Sequence, residues 1–295
     1  MIESSGLTLY GIIGHPVGHS LSPVMHNASF EALGLHATME VYDIKPESLK
    51  DALESFIKLG FGGINVTIPH KQTIIPFLDD IDEEAGIIGA VNTVRFRDGR
   101  TEGFNTDAHG FRQTLEPYRS SIEGSRFVVL GAGGAARAVT YVLLRFFRTA
   151  QIVIAARTAS GSKTLVEHFK GFHGSRLAAS TLDDPHLSRM VRDSEVIINA
   201  TPVGMFPKTG EAVVEGTEFR DGQTVVDLIY RPLQTELLRR AKQHGARAVS
   251  GLEMFIHQGA RAFEIWTGKG MDIDRVRILL TGMLEQETSR GEGRR

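Results

Sequence analysis

The stretch Arg126–Ala138, "RFVVLGAGGAARA", decides how this chain folds. "RFVVL" (126–130) reads as a buried strand, and Gly131, Gly133 and Ala136 follow it in G-x-G-x-x-A spacing. Gly131 permits a tight turn, Gly133 lets backbone approach a pyrophosphate, and Ala136 lets the next helix pack close to the strand. A second apolar strand, "QIVIAAR" (151–157), follows about twenty residues on, which is the context this loop requires. A tight strand–helix turn with no ligand is the competing reading, and the flanking strands argue against it.

The end of the second strand reports which dinucleotide fits. An acid there would accept from the ribose 2′-OH of NAD. The chain instead reads Ala155-Ala156-Arg157-Thr158, with Lys163 beyond and no acid before Glu167. An Arg fork beside a hydroxyl suits a 2′-phosphate, so NADP is the expected cofactor. A solvated Arg at a strand end is the bland alternative, and the missing acid is the stronger half of the argument.

Outward from this loop, strands alternate with helices almost throughout. On the N-terminal side, strands are expected at 7–14, 38–44 and 62–69, with helices at 23–33 and 46–59. Asp98-Gly99 between two short runs predicts a two-residue hairpin. On the C-terminal side, further strands fall at 195–201, 223–230 and 246–250, and a helical stretch at 254–287. The fold class is therefore α/β, with an N-terminal domain on a mostly parallel sheet and a doubly wound dinucleotide domain. At 295 residues, two domains is also what length alone favours.

Composition removes several function classes. The net charge is −2, from 33 basic and 35 acidic residues, which gives no support for a nucleic-acid partner. With no cysteine there is no disulfide, thiolate nucleophile or Cys-based metal site. The eleven histidines are scattered without HExxH spacing, so no metal is expected. No apolar run approaches the ~18 residues of a membrane span. "MIESSGLTLYG" lacks a basic stretch before an apolar core, so no signal peptide is expected and a cytoplasmic location is. The expected partner is a small molecule, and the chain is expected to be a monomer or homodimer.

Four stretches of the N-terminal half gather polar groups. In "HSLSP" (19–23), Ser22 suits the N-cap of a helix with Pro23 in its first position and Gly34 as its stop. Ser20 is then left over, two residues away on the same side of an extended segment. In "NVTIPHK", Asn65, Thr67 and Lys71 fall at a strand end and the first turn of a helix starting near Pro69. A cation there opposes the helix dipole, which suits a proton donor or acceptor. "GAVNT" supplies Asn92, and "GFNTD" supplies Asn105, Thr106 and Asp107 before another helix. Taken alone, Asp107 reads as an N-cap; together with Lys71 it makes a plausible acid/base couple for an alcohol–ketone interconversion.

In this order, "HSLSP", "NVTIPHK", "GAVNT", "GFNTD", "GAGGAARA", "NATPVGM", "DLIYRP" and "SGLEMFIHQGARAF" resemble the NADP-dependent shikimate dehydrogenase family, from about Leu7 to Leu284. The resemblance implies reversible NADPH-dependent reduction of 3-dehydroshikimate to shikimate. It implies that Ser20 and Ser22 hold the substrate carboxylate. Thr67, Asn92, Asp107 and Gln258 would bind the ring hydroxyls, and Lys71 and Asp107 would form the catalytic pair. Tyr230 would stand with the substrate residues at the nicotinamide end, beside Gly251. Gly131, Ala132, Gly133, Gly134 and Ala135 would hold the pyrophosphate. Ala156, Arg157, Thr158, Lys163, Thr201, Leu228 and Gly251 would complete the cofactor site. The family's usual Asn-Arg-Thr reads Ala156-Arg157-Thr158 here. The resemblance also implies that residues 252–288 return to complete a substrate domain at 1–107, around a cofactor domain at 108–251. The tail, 289–295, is expected to fray.

Overall fold

The computed structural model describes residues 6–172, 176–214 and 219–292, with side chains through residue 287. The chain forms two compact units. The first holds the residues up to Gly110 together with Ile256–Gly282, and the second holds Phe111–Phe255 and the chain from Met283. No helix among the described residues is long and apolar enough to cross a membrane.

The first unit begins β1 (Thr8–Gly14), α1 (Ser22–Ala32), β2 (Ala37–Asp43), α2 (Leu49–Lys58), β3 (Gly63–Val66) and α3 (His70–Thr73). It continues β4 (Asp80–Ile81), α4 (Glu83–Ile88), β5 (Thr93–Arg97), β6 (Arg100–Phe104) and α5 (Thr106–Leu115). Its sheet runs β2-β1-β3-β5-β6-β4. The pairs β1–β2, β1–β3 and β4–β6 are parallel, and β5 is antiparallel to both neighbours. Asp98 and Gly99 both take positive φ, 52° and 74°, as a two-residue hairpin between right-twisted strands requires. One sheet face packs Leu49, Leu53 and Phe56 of α2 against Ile13, Ile64 and Val66.

The second unit carries α6 (Arg119–Ile122), β7 (Arg126–Leu130), α7 (Gly134–Phe146), β8 (Gln151–Ala156), α8 (Ala159–His168) and β9 (Leu177–Thr181). Then come α9 (Leu187–Asp193), β10 (Val196–Asn199), β11 (Thr224–Asp227), α10 (Glu236–Gln243) and β12 (Arg247–Val249). All six strands are parallel, in the order β12-β11-β10-β7-β8-β9. Counted from β7, this is the 3-2-1-4-5-6 order of a dinucleotide-binding sheet, whose switch point lies between β7 and β10. The sequence did not announce β9, whose "LAAST" is too short and mixed to show a period, nor the two-residue β4.

The chain ends with α11 (Leu252–Thr267) and α12 (Ile273–Glu292), separated at Gly268, which has φ +68°. A single helical stretch at 254–287 was expected, and the left-handed glycine divides it. The helical backbone continues to Glu292. Residues 293–295 lie outside the described chain.

Within the first unit, α11 is seated by close contacts that glycine permits. A Cβ on Gly63 would lie 2.2 Å from Trp266 Nε1, and one on Gly259 would lie 2.0 Å from Met25 Cε. Trp266 donates its indole N–H to Val94 O at 3.0 Å and packs against Tyr10 and His26 at ring distances of 5.1 and 5.2 Å. His26 is wholly buried, and burial pushes its pKa down to about 3, so it packs as a neutral ring.

Candidate active site

Lys71, Asp107, Asn92 and Gln258 are brought together in the first unit by hydrogen bonds. Lys71 Nζ donates to Asp107 Oδ2 at 2.6 Å, with side-chain exposures of 15% and 6%. Asn92 Nδ2 donates to Asp107 Oδ1 at 2.9 Å, so both carboxylate oxygens have partners. The same amide reaches Thr106 Oγ1 at 3.0 Å and Gln258 Oε1 at 3.4 Å. Asn92 Oδ1 in turn accepts from Thr106 N at 2.7 Å and from Thr93 Oγ1 at 3.2 Å. Asn92 is thus fixed on both sides before any ligand arrives, which is how a preorganised polar site is built.

Two local expectations are corrected here. The cap of α5 is Asn105, whose Oδ1 accepts from Ala108 N at 3.2 Å, so Asp107 falls inside the first turn and faces Lys71 instead. The helix that carries Lys71 is α3, a single turn of four residues. One turn sums few peptide dipoles, so the environment of Lys71 is set by the Asp107 carboxylate and not by a helix dipole. The short helix is held at its first two residues. His70 Nε2 lies 2.6 Å from Ile44 O, and Lys71 O accepts from Val91 N at 2.7 Å.

Ser20 and Ser22 also exchange their expected parts. Ser22 is the first residue of α1, and Leu21 holds the cap position without a capping bond from its own side chain. The hydroxyl of Ser20 accepts from Ser22 N at 3.2 Å and donates to Ser22 Oγ at 3.2 Å. The residue that seemed surplus therefore takes the free amide, and both hydroxyls lie together at the N-terminus of an eleven-residue helix. That grouping can bind an anion. Thr67 follows β3, and its methyl sits where a Cβ on Gly14 would be 2.5 Å away. The glycine lets Thr67 approach β1. Sequence reading passed over Thr93 and undervalued Asn65, whose Nδ2 donates to Thr93 Oγ1 at 3.2 Å; both sit inside motifs already quoted.

In the second unit, the loop after β7 has the shape a pyrophosphate needs. Gly131 takes φ +118°, and a Cβ there would lie 2.9 Å from Ala200 O. Gly133 is the N-cap of α7 with no side-chain cap, and the space beside it is open to 4 Å. Ala132, Gly134 and Ala135 are half-buried around it, while Ala136 is fully buried against the sheet. The first amides of a thirteen-residue helix are thereby left for a ligand. At the end of β8, Ala156 is buried, and Arg157, Thr158 and Lys163 are exposed. Thr158 Oγ1 caps α8 by accepting from Gly161 N at 3.2 Å. The exposed Arg157 and Lys163 present two cations at the end of this strand, which fits a 2′-phosphate. Thr201 follows β10, and its hydroxyl donates to Asn199 Oδ1 at 2.7 Å. Leu228 and Tyr230 follow β11, and the Tyr230 ring stacks on Phe255 at 4.0 Å. Gly251 follows β12, with its amide donating to Ile229 O at 3.1 Å. Among the described residues no cluster of acids and histidines could hold a metal ion.

Comparison with known proteins agrees with this division. Residues 12–94 match the shikimate dehydrogenase substrate binding domain, and residues 251–277 match the shikimate 5′-dehydrogenase C-terminal domain. Residues 127–249 match the saccharopine dehydrogenase NADP binding domain. The chain is 45% identical to the shikimate dehydrogenase (NADP+) of Methanopyrus kandleri, over 90% of this chain and 92% of that one. A crystal structure of a shikimate dehydrogenase in complex with NADP+ superposes with a TM-score of 0.86 at 40% identity, covering 95% of this chain and 97% of that one. The Thermus thermophilus shikimate 5-dehydrogenase in complex with NADP(H) and shikimate gives 0.81 at 36% identity, covering 93% and 98%. With such identity along nearly the whole length of these relatives, the chain belongs to the shikimate dehydrogenase family.

Proposed function

We propose that this chain catalyses the reversible NADPH-dependent reduction of 3-dehydroshikimate to shikimate, a step toward chorismate and the aromatic amino acids, in the cytoplasm. The observation that carries the reading is the Lys71–Asp107 pair at 2.6 Å, its carboxylate buried and held by the Asn92 amide. In this reading the substrate domain is 1–107 completed by 252–288, and the cofactor domain is 108–251. The working form is a monomer or a homodimer.

Lys71 is placed as the acid and base. During reduction its ammonium gives a proton to the oxygen of the reacting carbonyl, and in the reverse direction the amine takes it back. Asp107 accepts from Nζ and holds it in place, while Asn92 holds Asp107. NADPH, when bound, supplies the hydride that completes the alcohol. The cradle at Gly131, Ala132, Gly133, Gly134 and Ala135 would hold its pyrophosphate. Ala156, Arg157, Thr158 and Lys163 would line its 2′-phosphate, and Thr201, Leu228 and Gly251 would line its other end. Thr67, Asn92, Asp107 and Gln258 would select the substrate hydroxyls, with Tyr230 joining the substrate residues at the nicotinamide end. A ring lacking one of these hydroxyls would leave a polar group unpaired, which is the strongest kind of discrimination.

The deciding experiment follows absorbance at 340 nm with shikimate and quinate crossed against NADP+ and NAD+. Turnover mainly with shikimate and NADP+ supports the reading. Comparable turnover with quinate or NAD+ would move the chain to a quinate/shikimate enzyme of relaxed cofactor choice. No turnover despite NADP+ binding would leave a sensor on the same fold.

Ser20 and Ser22 are assigned to the substrate carboxylate. Ser20→Ala and Ser22→Ala are each expected to raise the shikimate KM by about tenfold, the worth of one hydrogen bond to a charged group. The NADP+ KM should stay as in the wild type. An unchanged shikimate KM in both variants would return the serines to a purely local role.

A further inference from the structure

Asp227 ends β11, is fully buried, and has no part in the chemistry proposed above. Its Oδ2 accepts from Thr235 Oγ1 at 2.6 Å. Its Oδ1 accepts from Asn199 Nδ2 at 3.0 Å and from Ile229 N at 3.1 Å. None of these donors is charged, and burial pushes the pKa up to about 6. A carboxylate buried without a countercharge is costly, so its retention calls for a reason.

The donors lead to the segments that leave the C-terminal ends of three strands. Asn199 follows to Thr201: Asn199 Oδ1 accepts from Thr201 N at 3.0 Å and from its hydroxyl at 2.7 Å. Thr201 Oγ1 accepts from Val203 N at 3.2 Å and so fixes the next turn. Ile229 stands between Leu228 and Tyr230, and its carbonyl accepts from Gly251 N after β12. Thr235 also accepts from Leu238 N at 3.3 Å and starts α10. One carboxylate thus gathers the loops after β10, β11 and β12, and in sheets of this kind ligands bind at that end of the strands.

We propose that Asp227 is a positioning residue for the nicotinamide dinucleotide, holding Thr201, Leu228 and Tyr230 as one preformed rim through Asn199 and the Ile229 amide. The proposal rests on the NADP reading given above. Asparagine at 227 can keep the Oδ1 acceptor for Asn199 and Ile229, and its Nδ2 can donate to Thr235 once that hydroxyl rotates. Alanine can satisfy none of the three and leaves buried donors without acceptors.

NADP+ is titrated calorimetrically into the wild type, Asp227→Asn, Asp227→Ala and Asn199→Ala, with shikimate KM and thermal midpoint measured alongside. Asp227→Ala is expected to weaken NADP+ binding about tenfold or more, as loss of one or two buried hydrogen bonds would. Its shikimate KM should rise by a clearly smaller factor, since Thr67, Asn92, Asp107 and Gln258 stay in place and Tyr230 alone of the substrate residues sits on the rim, and Asp227→Asn should restore NADP+ affinity to within about threefold of wild type. If Asp227→Ala does not fold, Asn199→Ala carries the test, because it cuts Thr201 from the carboxylate and leaves the other two donors in place. Wild-type NADP+ affinity in the folded alanine variants overturns the proposal, and so does an equal loss of NADP+ and shikimate recognition. A folded wild type that binds no NADP+ overturns the cofactor reading itself, and is seen before any substitution is compared.

Discussion

Lys71→Ala is expected to lower kcat by roughly two to four orders of magnitude, the usual contribution of a positioned acid or base. NADP+ affinity should be unchanged, since Lys71 lies in the first unit and the dinucleotide loop in the second. The shikimate KM should change far less than kcat, because Ser20, Ser22, Thr67 and Gln258 remain in place. Stability should fall as well. Asp107 keeps its bond from Asn92 but loses the ammonium that pairs with it, and removing one partner of a largely buried pair costs about 3 kcal/mol. A thermal midpoint recorded with each rate separates the two effects. Asp107→Asn offers the complementary variant, keeping the shape of the side chain and the Asn92 contact while removing the charge that holds Nζ. If Lys71→Ala turns over within about threefold of wild type while folded, a neighbouring group or water moves the proton and Lys71 only orients the hydroxyl.

Gly251→Ala is expected to be the most damaging single methyl in the second unit. A Cβ there would lie 2.1 Å from Leu228 O, 2.4 Å from Leu228 C and 3.0 Å from Ile229 C. All three are backbone atoms, so no side chain can swing aside. The Leu228–Ile229 segment must move, and it is tied to Asp227 through the Ile229 amide. Overpacking of this kind costs about 1–3 kcal/mol or more, read as a fall in the denaturation midpoint. NADP+ affinity should fall by about tenfold or more, because the displaced segment carries Leu228 and Tyr230. This also gives Gly251 a double character. Its match to a cofactor position follows from family resemblance, while its side-chain requirement follows from the close approach of two loops. An alanine variant with unchanged midpoint and NADP+ affinity would mean that the β11 loop yields freely.

Much of this was legible in the sequence because the signals were periodic or stereochemical. "RFVVL" before Gly131 marked β7 without error, and Asp98-Gly99 marked the hairpin, because few residues tolerate positive φ. What escaped were competitions between neighbours of similar propensity. Ser20 and Ser22 both suit a cap, and only the three-dimensional path of the chain decided which hydroxyl received the amide. Asn105 and Asp107 are both good caps, and the presence of Lys71 across a separation of 36 residues drew Asp107 away from that role. Asp227 was invisible as anything but part of a motif, since its importance lies in three donors scattered from Asn199 to Thr235. The identities of the site residues came from motif resemblance. Their connections came from the fold.

The return of α11 to the first unit has a consequence for how the protein is made. Tyr10, His26 and Phe30 leave the ribosome long before Phe263 and Trp266, their aromatic partners. The N-terminal strands therefore emerge first yet cannot close their core until nearly the entire polypeptide has been synthesised. The second unit, with its six-stranded sheet continuous in sequence from β7 to β12, can complete that sheet earlier. Vectorial synthesis thus inverts the order of the chain: the middle can settle first, and the beginning waits for the end.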